Sequence, residues 1–163
     1  LQPDEVAREA VRLCQWQASN RQISIDEAFA PGLPSVYADR VLLEQVLLNL
    51  IRNALDANHE AHPLEPSRIE LSAREEGGQL CIRVTDQGAG VAADVLAHIF
   101  TPFYTSKAEG LGLGLSMSRS IIEGFGGALE AHPDPGGGLC LECRLPLGRS
   151  ETESSEQTEL TED

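Results

Sequence analysis

Apolar residues recur at helical spacing from Pro3 to about Asn20, with Val6, Ala10, Leu13 and Cys14 on one face. Pro3-Asp4-Glu5 gives this segment a helix start. Gln22–Phe29 alternates between apolar and polar residues, which predicts a strand. Pro31-Gly32-Leu33-Pro34 reads as a turn and Ser35–Ala38 as a short strand. Asp39 is a suitable N-cap for a long apolar helix reaching about Asn58, followed by a polar, proline-containing loop over His59–Ser67. Arg68–Glu75 and Gln79–Thr85 flank Gly77-Gly78 and predict a β-hairpin. Val91–Ile99 reads as a short helix, Thr101–Gly110 as a loop, and Leu111–Phe125 as a helix led in by glycines. Two further strands, Ala128–His132 and Leu139–Leu145, are separated by Pro135-Gly136-Gly137-Gly138. Helices and hairpins interleave without an internal repeat, so the expected architecture is a two-layer α+β sandwich.

Charge changes this picture at one end. The chain of 163 residues carries 26 Asp+Glu against 12 Lys+Arg, a net of −14. From Arg149 to Asp163 there are six acids, one base and a single aliphatic residue, Leu160. Such a segment cannot bury enough surface to offset ordering entropy, so residues 149–163 are expected to form a disordered acidic tail. The remaining net of −9 argues against a nucleic-acid binder, whose affinity rests on Lys and Arg neutralising phosphates. It does not exclude a small phosphorylated ligand held by backbone N–H groups. The four cysteines lack the density of a disulfide framework. Cys140 and Cys143 form a C-x-x-C, but in a strand they point to opposite faces. No apolar run reaches membrane-spanning length and no signal peptide is present, so the expected location is cytoplasmic, including the cytosolic part of a longer membrane-anchored protein.

Three segments carry candidate chemistry. On the 39–58 helix, Gln45, Asn49, Asn53 and Asp56 fall within about 80° of one another at about 100° per residue. This polar stripe lies on an otherwise apolar helix, where buried amides need partners. Either they satisfy neighbouring backbone, or their oxygens face a polar cavity and hold a hard cation such as Mg²⁺. The helix alone leaves both open. Asp86-Gln87-Gly88-Ala89-Gly90 follows a strand, and its acid suits an exocyclic amino group such as adenine N6. A plain turn explains it equally well. Gly110-Leu111-Gly112-Leu113-Gly114-Leu115-Ser116 precedes a helix and offers N–H groups to an anion. It is neither a Walker loop nor a dinucleotide fingerprint, because no Gly-Lys-Ser/Thr ends it and no strand leads into it.

In order, the chain presents an Asn-x-x-x-Asn-Ala helix, Asp-x-Gly-x-Gly, Phe100-Thr-Pro-Phe103, Gly-Leu-Gly-Leu-Gly-Leu-Ser and a glycine-rich turn between strands. Over about residues 20–147 this resembles the catalytic ATP-binding domain of sensor histidine kinases. Those domains share a nucleotide fold with gyrase, heat-shock chaperone and mismatch-repair ATPases. The wordings Thr-Pro-Phe-Tyr-Thr-Ser-Lys and Asn-Ala-Leu-Asp-Ala look like the nitrogen-regulation and dicarboxylate-sensor subgroup. The resemblance implies a Bergerat-type α+β sandwich, with a mixed sheet of about five strands packed against three helices. It also implies a connecting or first helix over 1–20 and an ATP-binding domain over 21–148. Asn53 would ligate Mg²⁺ with Asn49 as companion, and Asp86 would bind adenine N6 in a pocket shaped by Gly88 and Gly90. Phe100 and Phe103 would anchor a lid over the nucleotide, and Lys107 would reach the terminal phosphates. Gly110, Leu111, Gly112, Leu113, Gly114, Leu115 and Ser116 would form the phosphate loop. Asp56 stands where many such kinases carry Lys, so its part in ATP binding would run through water and Mg²⁺.

The implied reaction is transfer of the γ-phosphate of Mg·ATP to a histidine on a dimerisation domain, followed by relay to a response regulator from a homodimeric full-length kinase. Asn49, Asn53 and Lys107 would be the catalytic residues. His59-Glu60 has the acidic neighbour of a phosphoacceptor but is expected in a loop, so the acceptor is expected outside this chain. The competing readings are an ATP hydrolase or protein-serine kinase of the same fold, or a non-catalytic nucleotide-binding module. Asn49 disfavours hydrolysis, because an amide cannot accept a proton from water at neutral pH.

Overall fold

A computed structural model describes residues 1–102 and 114–148. Gly77 and Gly78 both have positive φ, 61° and 76°, as the tight hairpin between β2 (Ser67–Glu76) and β3 (Gln79–Thr85) requires. That turn fixes the register at Glu76 opposite Gln79 and Glu70 opposite Thr85. Apolar residues on alternate positions then face one side: Ile69, Leu71 and Ala73 on β2, and Leu80, Ile82 and Val84 on β3, all buried. β1 (Ile23–Phe29) joins β2 in parallel. β5 (Leu139–Pro146) pairs antiparallel with β3 and with β4 (Ala128–Pro133). The mixed five-stranded sheet has the order β1-β2-β3-β5-β4.

The helices cover the apolar side. α1 (Pro3–Asn20) buries Val6, Ala7, Ala10, Val11, Cys14 and Ala18. Leu13, expected on that face, is instead 45% exposed, because it sits one position off the buried stripe. α2 (Arg40–Ala61) packs on both α1 and the sheet with Leu43, Val46, Leu47, Leu50, Ile51, Ala54 and Leu55. Asp39 caps it by accepting from Leu42 N at 2.9 Å. α3 (Ala93–Ala97) is short, and α4 (Gly114–Gly124) closes the layer with Ser118 and Ile122 buried.

Three boundaries differ from the sequence reading. Ser35–Ala38 forms a single bridge, Val36 to Leu147, because Pro34 and the helix cap at Asp39 leave no room for a ladder. The helix expected over Val91–Ile99 is only Ala93–Ala97, and it ends in a tight turn in which His98 N donates to Val95 O. α2 continues past Asn58 through His59, Glu60 and Ala61, because nothing breaks a helix before Pro63. His59-Glu60 is therefore helical and not in a loop. The proposed tail, 149–163, lies outside the described residues.

None of the described helices covers the other side of the sheet. This side carries Arg74, Glu76, Cys81, Arg83, Glu130, His132, Glu142 and Arg144, and a groove of about 810 Å³ on it is lined in part by Arg74, Arg83, His132, Cys140 and Glu142. Glu142, at the centre, is 2% exposed. Burial alone would raise its pKa, but hydrogen bonds from Cys81 and Arg83 and the charges of Arg83 and Arg144 outweigh that and hold it at about 2. Cys81 moves the opposite way, up to about 12, because burial and the adjacent carboxylate disfavour a thiolate. Cys140 lies on this face, half-buried, while Cys143 is fully buried on the helix side, so the C-x-x-C is split across the sheet. All four cysteines are free.

Candidate functional site

Asn49, Asn53 and Ala57 sit four residues apart and form one column along α2. Each end of the column meets a glycine-bearing segment from elsewhere. At one end Asn49 Nδ2 donates to Ser118 Oγ at 3.0 Å, tying α2 to α4. Gly114, the first residue of α4, lies against the same amide: a Cβ there would be 2.8 Å from Asn49 Oδ1. Only glycine fits without moving Asn49. The end of the glycine run therefore rests on the asparagine column.

At the other end, Gly88 packs on Ala57; a Cβ on Gly88 would be 3.0 Å from Ala57 Cβ. Eight residues of helix put the two contacts about 12 Å apart. Asn53 is half-buried midway between them.

Asp86 closes β3 and is 4% exposed. Its Oδ1 accepts from Gly88 N at 2.9 Å and from Leu139 N at 3.0 Å, while its own N donates to Leu139 O at 3.0 Å. The carboxylate thus holds the 86–90 loop to the start of β5. The glycine turn before β5 backs this arrangement: a Cβ on Gly138 would lie 2.0 Å from Asp86 O. Gly90, with φ of +77°, approaches Gly137 O so closely that a Cβ would lie 2.6 Å away.

The sequence reading missed the residue that anchors this loop. Asn58 is fully buried at the end of α2. Its Nδ2 donates to Ser67 Oγ at 3.1 Å and Arg68 O at 2.9 Å, and its Oδ1 accepts from Gln87 N at 2.7 Å. Gln87 is held twice more: its Oε1 accepts from Arg68 N at 2.8 Å, and its O accepts from His62 Nε2 at 2.8 Å. Asn58 was legible only as another polar residue on an apolar helix. Ser118 was also missed, because the glycine run ends at Ser116 and nothing local marks a residue two further on; Ser118 is the hydroxyl that meets Asn49.

Other expected residues are placed as follows. Asp56 is half-buried and pairs with Arg21, the residue that caps the end of α1, at 2.7 Å. Its carboxylate thus serves an α1–α2 contact. Gln45 is exposed. Phe100 is half-buried, with the Arg119 guanidinium 5.0 Å from its ring centroid, which links the segment after α3 to α4. Leu115 packs against the core and Ser116 is half-buried. Phe103, Lys107, Gly110, Leu111, Gly112 and Leu113 lie outside the described residues. The outer-face groove contains none of the expected nucleotide residues, so its size alone is no guide to the site.

Known proteins resemble this chain in sequence and fold. The family described as histidine kinase-, DNA gyrase B-, and HSP90-like ATPase matches residues 38–149. The C4-dicarboxylate transport sensor protein DctS of Rhodobacter capsulatus is 36% identical over 147 residues, 90% of this chain and 22% of that protein. The sensor histidine kinase ZraS of Escherichia coli K12 is 39% identical over 138 residues, 85% of this chain and 29% of that protein. The chain thus spans less than a third of these relatives. The catalytic domain of histidine kinase ThkA superposes with a TM-score of 0.80 at 28% identity, covering 90% of this chain and 93% of that one. Full-length ShkA in complex with AMPPNP superposes at 0.79 and 28% identity, covering 92% of this chain and 31% of that one. With the asparagine column, the Asp86 loop and the start of α4 in place, the chain belongs to the histidine kinase-, DNA gyrase B- and HSP90-like ATPase family and has the fold of a histidine kinase catalytic domain.

Proposed function

We propose that this chain is the catalytic domain of a two-component sensor histidine kinase, binding Mg·ATP and transferring its γ-phosphoryl group to a histidine on a dimerisation domain. The observation that carries this is the convergence on one face of α2: the start of α4 on Asn49, the Asp86 loop on Ala57, and Asn53 between them. A ligand with an anionic end and a planar, amino-bearing end fits that polarity. The adenine end would lie at Asp86, Gly88 and Gly90. The phosphates would lie toward Asn49 and the N–H groups that open α4, where the macrodipole favours negative charge.

Asn53 supplies the amide oxygen a Mg²⁺ ion prefers, and that ion, when bound with the nucleotide, offsets phosphate charge. Gly110–Ser116 form the phosphate loop in this reading. Lys107 reaches the terminal phosphates, and Phe100 and Phe103 hold the lid, with Arg119 fixing Phe100 to α4. Phosphoryl transfer needs positioning and charge stabilisation more than covalent help. Asn49 is an amide hydrogen-bonded to Ser118 and cannot serve as a base for water. His62 donates to Gln87 O and acts as a structural strut, and His59 belongs to α2. The acceptor histidine is assigned, with the resemblance, to a dimerisation domain, and the full-length protein to a cytoplasmic-facing homodimer that passes the phosphoryl group to a response regulator. Among the described residues no helix is long and apolar enough to cross a membrane.

The test is a titration with a fluorescent ATP analogue, with and without Mg²⁺. Saturable, Mg²⁺-dependent binding that is lost in Asn53→Ala is expected, with phosphate release from the chain alone near background. Absence of saturable binding, or binding indifferent to Asn53→Ala, overturns the assignment.

A further inference from the structure

On the outer face of the sheet, away from the helices and the asparagine column, Glu130 and Glu142 face each other across β4 and β5, with His132 one pleat along. His132 Nε2 lies 3.1 Å from Glu142 Oε2 and 3.2 Å from Glu130 Oε2. The three ligand atoms all lie within 4.8 Å of one another. One imidazole nitrogen carries either one proton or one lone pair, so it cannot direct a good hydrogen bond at two carboxylates together. Ligand atoms about 2.0–2.1 Å from a tetrahedral ion are about 3.3–3.4 Å apart, close to the spacing of this nitrogen from each oxygen.

The two oxygens of Glu142 divide their work. Oε1 accepts from Cys81, Arg83 and Arg144, which fixes the carboxylate plane. Oε2 is the atom turned to His132. We propose that Glu130, His132 and Glu142 form a Zn²⁺ site on the outer face of the sheet. The donor set, with two guanidinium groups behind Glu142, points to the class of ion. The guanidinium groups weaken the site for any divalent cation and most for Ca²⁺ and Mg²⁺, which depend on negative oxygen charge, whereas the imidazole nitrogen in the donor set suits Zn²⁺. Glu130 and His132 are each 49% exposed, so an ion enters from solvent, while Glu142 forms the buried base. Three protein ligands leave a fourth position for water. The ion would staple the edge strand β4 to β5.

The experiment is calorimetric titration of Zn²⁺ into the 163-residue chain without nucleotide or Mg²⁺. Saturable binding is expected, with one site removed, or weakened by about tenfold or more, in His132→Ala and in Glu130→Gln. Both substitutions are on the exposed edge strand, and circular dichroism checks that they fold. His98→Ala, an exposed histidine elsewhere, is expected to leave the titration unchanged. Substituting Co²⁺ for Zn²⁺ gives a second readout, visible absorption that disappears in His132→Ala. No saturable Zn²⁺ binding, or a titration identical in the wild type and His132→Ala, overturns the proposal.

Discussion

Replacing Asn58 by alanine removes three hydrogen bonds at one buried point. The lost partners are Ser67 Oγ, Arg68 O and Gln87 N. A typical net contribution is about 0.5–1.5 kcal/mol per bond. Gln87 and Arg68 are themselves exposed, so water can reach part of what Asn58 leaves behind. The truncation also leaves a small cavity at a fully buried position. Together these place the loss at about 2–4 kcal/mol, read from urea unfolding of the wild type and the variant. Asn58→Leu separates the causes, since it restores volume but none of the bonds. It is expected to be destabilised by about as much as the alanine variant. Because Gln87 follows Asp86 directly, both variants are also expected to weaken nucleotide binding under conditions where they remain folded. A loss below about 1 kcal/mol, or recovery in Asn58→Leu, would refute the hydrogen-bond account.

Other expectations follow from the same contacts. Gly114→Ala places a methyl group 2.8 Å from Asn49 Oδ1 and is expected to weaken ATP binding severalfold with little change in stability; unchanged affinity in a fluorescence titration would remove Gly114 from the phosphate end. Asp56→Ala breaks a part-exposed ion pair with Arg21, so unfolding should shift by less than about 1 kcal/mol. If Asp56 also holds nucleotide through water, the same variant lowers ATP affinity; an unchanged Kd confines it to the α1–α2 contact. The thiols of Cys14, Cys81, Cys140 and Cys143 all have raised pKa values, mainly through burial. Alkylation at pH 7 should therefore be slow in the folded chain and complete in denaturant, and rapid labelling of Cys81 or Cys143, followed by mass spectrometry, would contradict their placement.

Much of the fold could be read from local chemistry. Gly77-Gly78 announced its hairpin because two positive-φ residues between alternating strands have few other uses. Asp39 announced the start of α2 because a short acceptor before an apolar helical run is a cap. The end of α2 was harder to place, since His59 to Ala61 are polar or small yet fit a helix until Pro63 intervenes. The site was legible as motifs whose order pointed to a family. Its fastening was less legible. Asn58, Gln87 and Ser118 act through partners 9 to 69 residues away in sequence, and no local pattern encodes such contacts. Glu142 is the same case: an acid on a strand reads as solvent-facing, until two arginines and a cysteine from neighbouring positions on the sheet enclose it.

The proposed nucleotide position is one column of α2 bridging the Asp86 loop and the start of α4. Amide hydrogen exchange with and without Mg·ATP tests it directly. Slowed exchange is expected over residues 86–90 and 114–118 and along α2 near Asn53, with the outer sheet face around Arg83 and Glu142 unchanged. Protection confined to that outer face, or none at saturating nucleotide, would contradict the account.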